Sequence, residues 1–66
     1  MEIQLNGKKT PLSQVVTIGD LIREKGLNPS AVVVEHNRAI VATADLDRIP
    51  LKDNDALEIL GFVGGG

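Results

Sequence analysis

The sequence lacks cysteine, tryptophan and tyrosine, and its 66 residues include only one phenylalanine and one histidine. Without cysteine there is no disulfide framework, no thiolate metal site and no thiol nucleophile. The single histidine, His36, excludes a multi-histidine metal site. Because aromatic side chains are nearly absent, a folded core must be aliphatic, built from leucine, isoleucine and valine.

Basic clusters and long hydrophobic runs are also missing. The net charge is −2, and Lys8-Lys9 is the only adjacent basic pair, so the chain has no basic stripe to neutralise phosphates. No apolar run exceeds four residues, whereas a membrane helix needs about 20. No charged segment followed by an apolar one opens the chain. We therefore expect one small cytoplasmic domain with neither a nucleic-acid nor a membrane partner.

The first half of the chain predicts a hairpin and a helix. Residues 1–5 alternate apolar and polar side chains, Asn6-Gly7 favours a tight turn, and residues 8–13 return as an edge strand that tolerates Pro11. Thr17 is a suitable N-cap, and Asp20 places negative charge in the first turn of the helix. Its apolar stripe is formed by Ile18, Leu21 and Ile22. Gly26 is expected at the C′ position.

The second half predicts strands at 31–35, 39–41 and 56–63, joined by a turn at 36–38, an irregular segment at 44–51 and a turn at 52–55. In the last strand Leu57 and Ile59 face one side, and Glu58, Leu60 and Phe62 face the other. A hairpin, a helix and further strands in this order indicate an α+β fold, a β-grasp, with a mixed sheet packed on one helix. We assign 1–63 to this domain and 64–66 to a flexible glycine tail.

The polar side chains give little sign of catalysis. His36 is interpreted as a solvated turn residue, with no hydroxyl nucleophile assigned to it. The aspartates at 45, 47, 53 and 55 lack the frame of a calcium loop and are interpreted as turn formers that bond their own backbone. No helix follows the terminal glycines, so they are not a phosphate-binding loop.

The tail is the remaining candidate. Four of the seven glycines lie in the last six residues. Composition alone leaves two interpretations open: a frayed end, or a thin arm that threads a narrow channel and presents the carboxylate of Gly66 for activation. Leu60, Phe62 and Val63 lead into this arm. They are candidates for a docking surface, although Phe62 is equally explained as a residue that closes the core.

Four segments carry a family resemblance. They are the Asn6-Gly7 hairpin, the helix start at 17–22, the Val-Val-Val-Glu-His-Asn segment at 32–37, and the 53–59 segment that runs into Val63-Gly64-Gly65-Gly66. Over essentially the whole chain the sequence resembles the ubiquitin-like sulfur carriers of thiamine biosynthesis, the ThiS family.

The resemblance implies a carrier and cosubstrate, not an enzyme. In this family an E1-like adenylyltransferase, ThiF, uses ATP to adenylate the terminal glycine, and sulfur from a donor protein then gives a thiocarboxylate. The thiazole synthase, ThiG, takes that sulfur into the thiazole ring. Carried onto this chain, Gly66 holds the sulfur, Gly64 and Gly65 form the arm, and no cofactor is bound. A carrier for molybdopterin or another sulfur metabolite, a ubiquitin-like modifier and an interaction module remain alternatives.

Overall fold

A computed structural model describes residues 1–14 and 16–61. It contains five strands, one α-helix and two short 3₁₀ turns. In chain order these are β1 (Glu2–Leu5), β2 (Lys8–Pro11), α1 (Ile18–Glu24), a 3₁₀ turn (Pro29–Ala31), β3 (Val32–His36), β4 (Ala39–Val41), a second 3₁₀ turn (Thr43–Asp45) and β5 (Ala56–Gly61). None of the helices in the described ranges is long and apolar enough to cross a membrane.

The five strands form one mixed sheet in the order β2-β1-β5-β3-β4. β1 and β5 are parallel, and the other three neighbouring pairs are antiparallel. The last strand of the chain is therefore the central strand of the sheet. The predicted α+β class and mixed sheet are confirmed, and β2 is an edge strand as Pro11 required, although it ends at that proline and not at Ser13.

Both hairpin turns place two residues in the left-handed region. Asn6 and Gly7 have φ values of 50° and 82°, as expected of the primed turn that Asn-Gly favours. Asn37 and Arg38 do the same in the β3–β4 turn, at 49° and 74°. The predicted turn at 36–38 thus begins one residue too early, because His36 still pairs with Ala39 and Leu57 in the sheet.

The helix ends follow local chemistry. Thr17 Oγ1 accepts a hydrogen bond from the backbone N–H of Asp20 at 3.1 Å, and the Asp20 carboxylate accepts one from the backbone N–H of Thr17 at 3.2 Å. This reciprocal capping box satisfies two donors that the first turn leaves free. Lys25 caps the other end, and Gly26 follows at a φ of 78°, which confirms the predicted C′ glycine.

The core lies between the helix and one face of the sheet. Among the residues that the structure describes, its members are all aliphatic: Ile3, Ile18, Leu21, Ile22, Val32, Val34, Leu46, Leu51, Leu57 and Ile59. Leu46 and Leu51 come from the segment predicted to be irregular, and their side chains are 2% and 1% exposed. The segment is held to the helix start where the N–H of Gly19 donates to the carbonyl of Leu46 at 2.9 Å.

Gly19 leaves room for the side chain of Asp47 at this close approach. A Cβ at that position would collide with the carboxylate of Asp47, which receives two hydrogen bonds from Arg23 at 2.7 Å each. The absence of a side chain at residue 19 therefore lets the Asp47 carboxylate lie against the first turn of the helix, where it pairs with Arg23.

Candidate functional site

The site is built around β5, the strand that leads toward the glycine-rich end of the sequence. Its side chains alternate as predicted: Leu57 and Ile59 are buried, whereas Leu60 is 59% exposed on the opposite face. Leu60 lies directly across from Val33 in the antiparallel register with β3. The predictions for Phe62, Val63 and Gly64 to Gly66 lie outside the described residues.

Asn6 secures the middle of β5 from the first hairpin turn. Its Oδ1 accepts a hydrogen bond from the backbone N–H of Ile59 at 2.8 Å, and its Nδ2 donates to the carbonyl of the same residue at 3.3 Å. The backbone N–H of Asn6 donates to Leu57 O at 2.9 Å. The side chain thereby extends the parallel β1–β5 ladder by one step beyond the end of β1.

Asn37 secures the start of β5 from the second hairpin turn. Its backbone N–H donates to the carbonyl of Ala56 at 2.8 Å, and its side-chain Oδ1 accepts from the N–H of Ala56 at 2.9 Å. Its Nδ2 donates to the Asp55 carboxylate at 3.1 Å. Two asparagines in two turns therefore fix the central strand at Ala56 and at Ile59.

His36 and Asp55 form a largely buried pair beside Asn37. Nε2 of His36 lies 2.9 Å from Oδ2 of Asp55, and the two side chains are 20% and 10% exposed. Because an ionised carboxylate can only accept, Nε2 carries the hydrogen of this bond. The interpretation of His36 as a solvated turn residue is wrong. It fails because the strand extends through residue 36 and turns the imidazole toward the acid that precedes β5.

The Asp55 carboxylate accepts three hydrogen bonds. Besides His36 and Asn37, the backbone N–H of Lys52 donates to it at 2.9 Å. The prediction that this aspartate bonds the backbone of its own turn is therefore correct, but it did not include the bonds to His36 and Asn37. Burial alone would raise the pKa of Asp55. The hydrogen bonds from His36, Lys52 and Asn37 outweigh that effect and hold the pKa below its usual value.

This network anchors the strand. In the part of the chain that the structure describes, the His36 ring contacts Asp55 and Asn37 and is hydrogen-bonded to no hydroxyl group. Over the same residues, no group of three or more histidines and carboxylates is arranged to hold a metal ion. The geometry sets the position of β5.

The outer sheet face combines apolar and acidic side chains. Leu60 and Ile40 are exposed large hydrophobic residues, Ile40 being 74% exposed. Glu35 of β3 stands directly opposite Glu58 of β5. With Gln4, Arg38 and Ala56 these acids line a shallow depression of about 390 Å³. We call the surface formed by Val33, Glu35, Ile40, Glu58 and Leu60 the outer sheet face.

Sequence reasoning missed Asn6, Asn37 and Asp55 as the residues that hold β5. Asn6 and Asn37 are each predicted only as residues of a turn. No local signal marks these contacts, because asparagine is typical of turns with positive φ whether or not its side chain has a distant partner.

The mixed five-stranded sheet and its single packed helix define a ubiquitin-like β-grasp, and β5 carries the chain from the centre of that sheet toward a Gly-Gly-Gly end. The ThiS family model matches residues 2–66. This chain belongs to the ThiS family.

Similar proteins and structures agree with this assignment. The chain is 38% identical over 65 residues to the sulfur carrier protein ThiS of Bacillus subtilis (strain 168), an alignment that covers 97% of this chain and 98% of that protein. A crystal structure of the thiamine biosynthesis protein ThiS from Geobacter metallireducens superimposes with a TM-score of 0.84 at 29% identity and covers 100% of both chains.

Two thiazole synthases also match. Those of Paramagnetospirillum magneticum and Magnetococcus marinus are 35% and 33% identical to this chain over 66 residues. The chain spans only 20% of the length of each of these relatives.

Proposed function

We propose that this chain is a sulfur carrier of thiamine biosynthesis, with Gly66 as the residue that carries the sulfur. The observation that supports this most is the extent of the family match, which continues through the glycine-rich segment to residue 66. The resemblance to the Bacillus subtilis sulfur carrier protein over nearly all of both chains supports the same role. The protein is then a cosubstrate of other enzymes.

The proposed chemistry takes place at one carboxylate. An oxygen of the Gly66 carboxylate attacks the α-phosphorus of ATP in an E1-like, ThiF-like adenylyltransferase, and pyrophosphate leaves. Hydrosulfide supplied by the donor then attacks the carbonyl carbon, the bond to the AMP oxygen breaks, and AMP and a proton leave. One terminal oxygen is thereby replaced by sulfur. Thiazole synthase takes up that sulfur in the next step.

Two features suit the chain to this role. β5 is held in place, and every residue after Val63 is glycine. Asn6 and Asn37 hold the strand at Ile59 and Ala56. Leu60 is exposed on the strand that leads to the tail, and with Phe62 and Val63 it forms our proposed docking surface. Gly64 and Gly65 form the arm, in which the absence of Cβ atoms admits the chain to a narrow channel.

The test is the intact mass of the purified protein after incubation with a ThiF-like enzyme, ATP and hydrosulfide. We expect a mass increase equal to the difference between sulfur and oxygen, located on Gly66 by fragmentation. Gly65→Val should block the reaction, because the branched side chain obstructs the arm. Gly61→Ala is the matched control, since a Cβ at residue 61 meets no atom within 4 Å. An unchanged mass for the parent protein would refute the proposal.

The same experiment separates the alternatives. Sulfur transfer to molybdopterin synthase and not to thiazole synthase would assign the carrier to the other pathway. A product in which the chain is joined to a lysine would identify a ubiquitin-like modifier. Fragmentation of the protein purified from its natural source also determines which residue bears the terminal carboxylate.

A further inference from the structure

The outer sheet face contains an unfavourable pairing that the fold itself does not require. Glu35 and Glu58 are opposite each other in the antiparallel register, and residues in that relation have Cβ atoms only about 4.5–5.5 Å apart. Like charges placed in this way destabilise a sheet. Neither carboxylate forms an ion pair within residues 1–14 and 16–61.

The other basic and polar groups nearby do not neutralise the pair. Arg38 lines the same depression, but it makes no ion pair with either acid within the described ranges. Gln4 and Ala56, the remaining lining residues, are uncharged. Glu35 is already half-buried, whereas Glu58 is exposed. A cation from outside the chain is therefore the natural counterpart of this pair.

The surroundings of the acids indicate a protein and not a free ion as the source of that cation. Leu60 and Ile40 are 59% and 74% exposed next to the pair, and an apolar surface beside a charge resembles the core and rim of a protein interface. Glu58 and Leu60 also lie on β5, the strand that leads to the tail.

We propose that the outer sheet face docks a partner protein that places one arginine between Glu35 and Glu58 and an apolar patch on Leu60 and Ile40. The planar guanidinium offers five donors and is able to bond both carboxylates at once, which a lysine ammonium does less well. Docking relieves the repulsion between the two acids. The acidic pair thus lowers the stability of the free domain and strengthens its binding to the partner. This inference rests on the proposed carrier function, because it takes the partner to be an enzyme that receives the tail.

The test uses Glu35→Gln, Glu58→Gln and the double variant, with binding to a purified ThiF-like enzyme and to a purified thiazole synthase measured by calorimetry. Each single change should weaken binding to at least one of these enzymes about 5-fold, and the double change about 20-fold. Added salt should weaken the parent complex more than that of the double variant. Glu24→Gln, on the helix, is the matched control and should bind like the parent.

Two further readouts distinguish recognition from a structural role. The glutamine variants should melt at the same temperature as the parent or higher, because the repulsion is removed, although they bind more weakly. Arg38→Asn keeps a residue that tolerates positive φ and removes a competing cation, so it should bind as tightly as the parent or more tightly. Weaker binding of this variant would show that the partner presents an acid there and would overturn the proposal.

The outcome is separable from that of the proposed function. If the double variant binds both enzymes as the parent does, while the parent still acquires sulfur on Gly66, the docking inference fails and the carrier function stands. If the parent acquires no sulfur, the carrier function itself fails. Concentration-dependent dimerisation through this face, abolished by the double variant, would identify a second copy as the occupant and would also overturn the proposal.

Discussion

Replacing Asn6 by glycine should loosen the central strand without disturbing the turn that contains residue 6. Glycine adopts the φ of 50° at this position without strain, so the main loss is the pair of side-chain hydrogen bonds to Ile59. The bond to the Ile59 N–H is short, at 2.8 Å, and the bond to its carbonyl is long, at 3.3 Å. At a net value of about 0.5–1.5 kcal/mol per hydrogen bond, we expect a loss of about 2 kcal/mol.

That loss is large for a domain of this size. A 66-residue domain has a free energy of unfolding of roughly 3–10 kcal/mol, and about 1 kcal/mol shifts the midpoint of thermal unfolding by roughly 4–8 °C. The expected fall in Tm is therefore about 8–16 °C. Asn6→Asp keeps the acceptor for the Ile59 N–H and loses the donor, so we expect a smaller loss for this variant than for Asn6→Gly.

Asn54→Gly is the matched control for Asn6→Gly. Asn54 also has a positive φ, of 69°, and within the described residues its side chain makes no hydrogen bond to the protein. Both variants carry the same entropic cost of glycine in the unfolded chain. The difference between them therefore isolates the bonds to Ile59.

The assay is urea denaturation of both variants, combined with hydrogen exchange of the Ile59 amide followed by NMR. The Ile59 amide should lose protection in Asn6→Gly and keep it in Asn54→Gly. If the free energies of unfolding of the two variants agree within about 0.5 kcal/mol, the Asn6 side chain does not hold β5.

Three other changes test the acid network, the close approach at Gly19 and the core. Asp55→Asn replaces one of the two acceptor oxygens by an NH₂ group that cannot accept the hydrogen bonds made there. The free energy of unfolding should fall by about 1–3 kcal/mol at pH 7. Because the folded-state pKa of Asp55 is lowered, its contribution is present above the unfolded value of about 3.9 and is lost as pH falls through the folded value. The variant should therefore lose less stability on acidification than the parent, and equal losses in urea titrations would contradict this. Gly19→Ala should displace the exposed Asp47 carboxylate and break its pair with Arg23. The free energy of unfolding should nevertheless change by less than about 1 kcal/mol, because alanine favours the helix and surface ion pairs contribute little. A loss above about 2 kcal/mol in thermal unfolding would show that the Asp47 side chain cannot move aside. Leu46→Ala should cost about 2–5 kcal/mol, whereas Leu60→Ala should stay within about 0.5 kcal/mol; equal effects in denaturation would remove residue 46 from the core.

Local signals in the sequence predicted much of this fold. Asn6-Gly7 sets its turn through backbone conformation, and Thr17 with Asp20 sets the helix start through bonds that span three residues. In β5 the alternation of Leu57 and Leu60 correctly predicted one buried and one exposed side chain. Each of these features depends on interactions among near neighbours, which a single sequence displays directly.

The features that were missed depend on register and on distant partners. The pairing of His36 with Asp55 joins residues 19 apart, and the bond from Asn6 to Ile59 joins residues 53 apart. Leu46 lies in a segment whose aspartates and proline are typical of a loop, so no periodicity marked it as part of the core. The opposition of Glu35 to Glu58 appears only once the strands are aligned, since a shift of one residue would separate them.

The position of β5 also constrains how the chain is made. β1 is synthesised well before β5, its parallel neighbour, so these two strands cannot pair until residues 56–61 have been added. Pairings that close such a long loop form slowly, and the apolar face of the sheet stays uncovered until they do. A polypeptide whose synthesis stops before residue 56 lacks the strand that joins β1 to β3 and cannot complete the sheet. Folding is thereby tied to translation of the segment that directly precedes the glycines, and truncated products are left open to proteolysis.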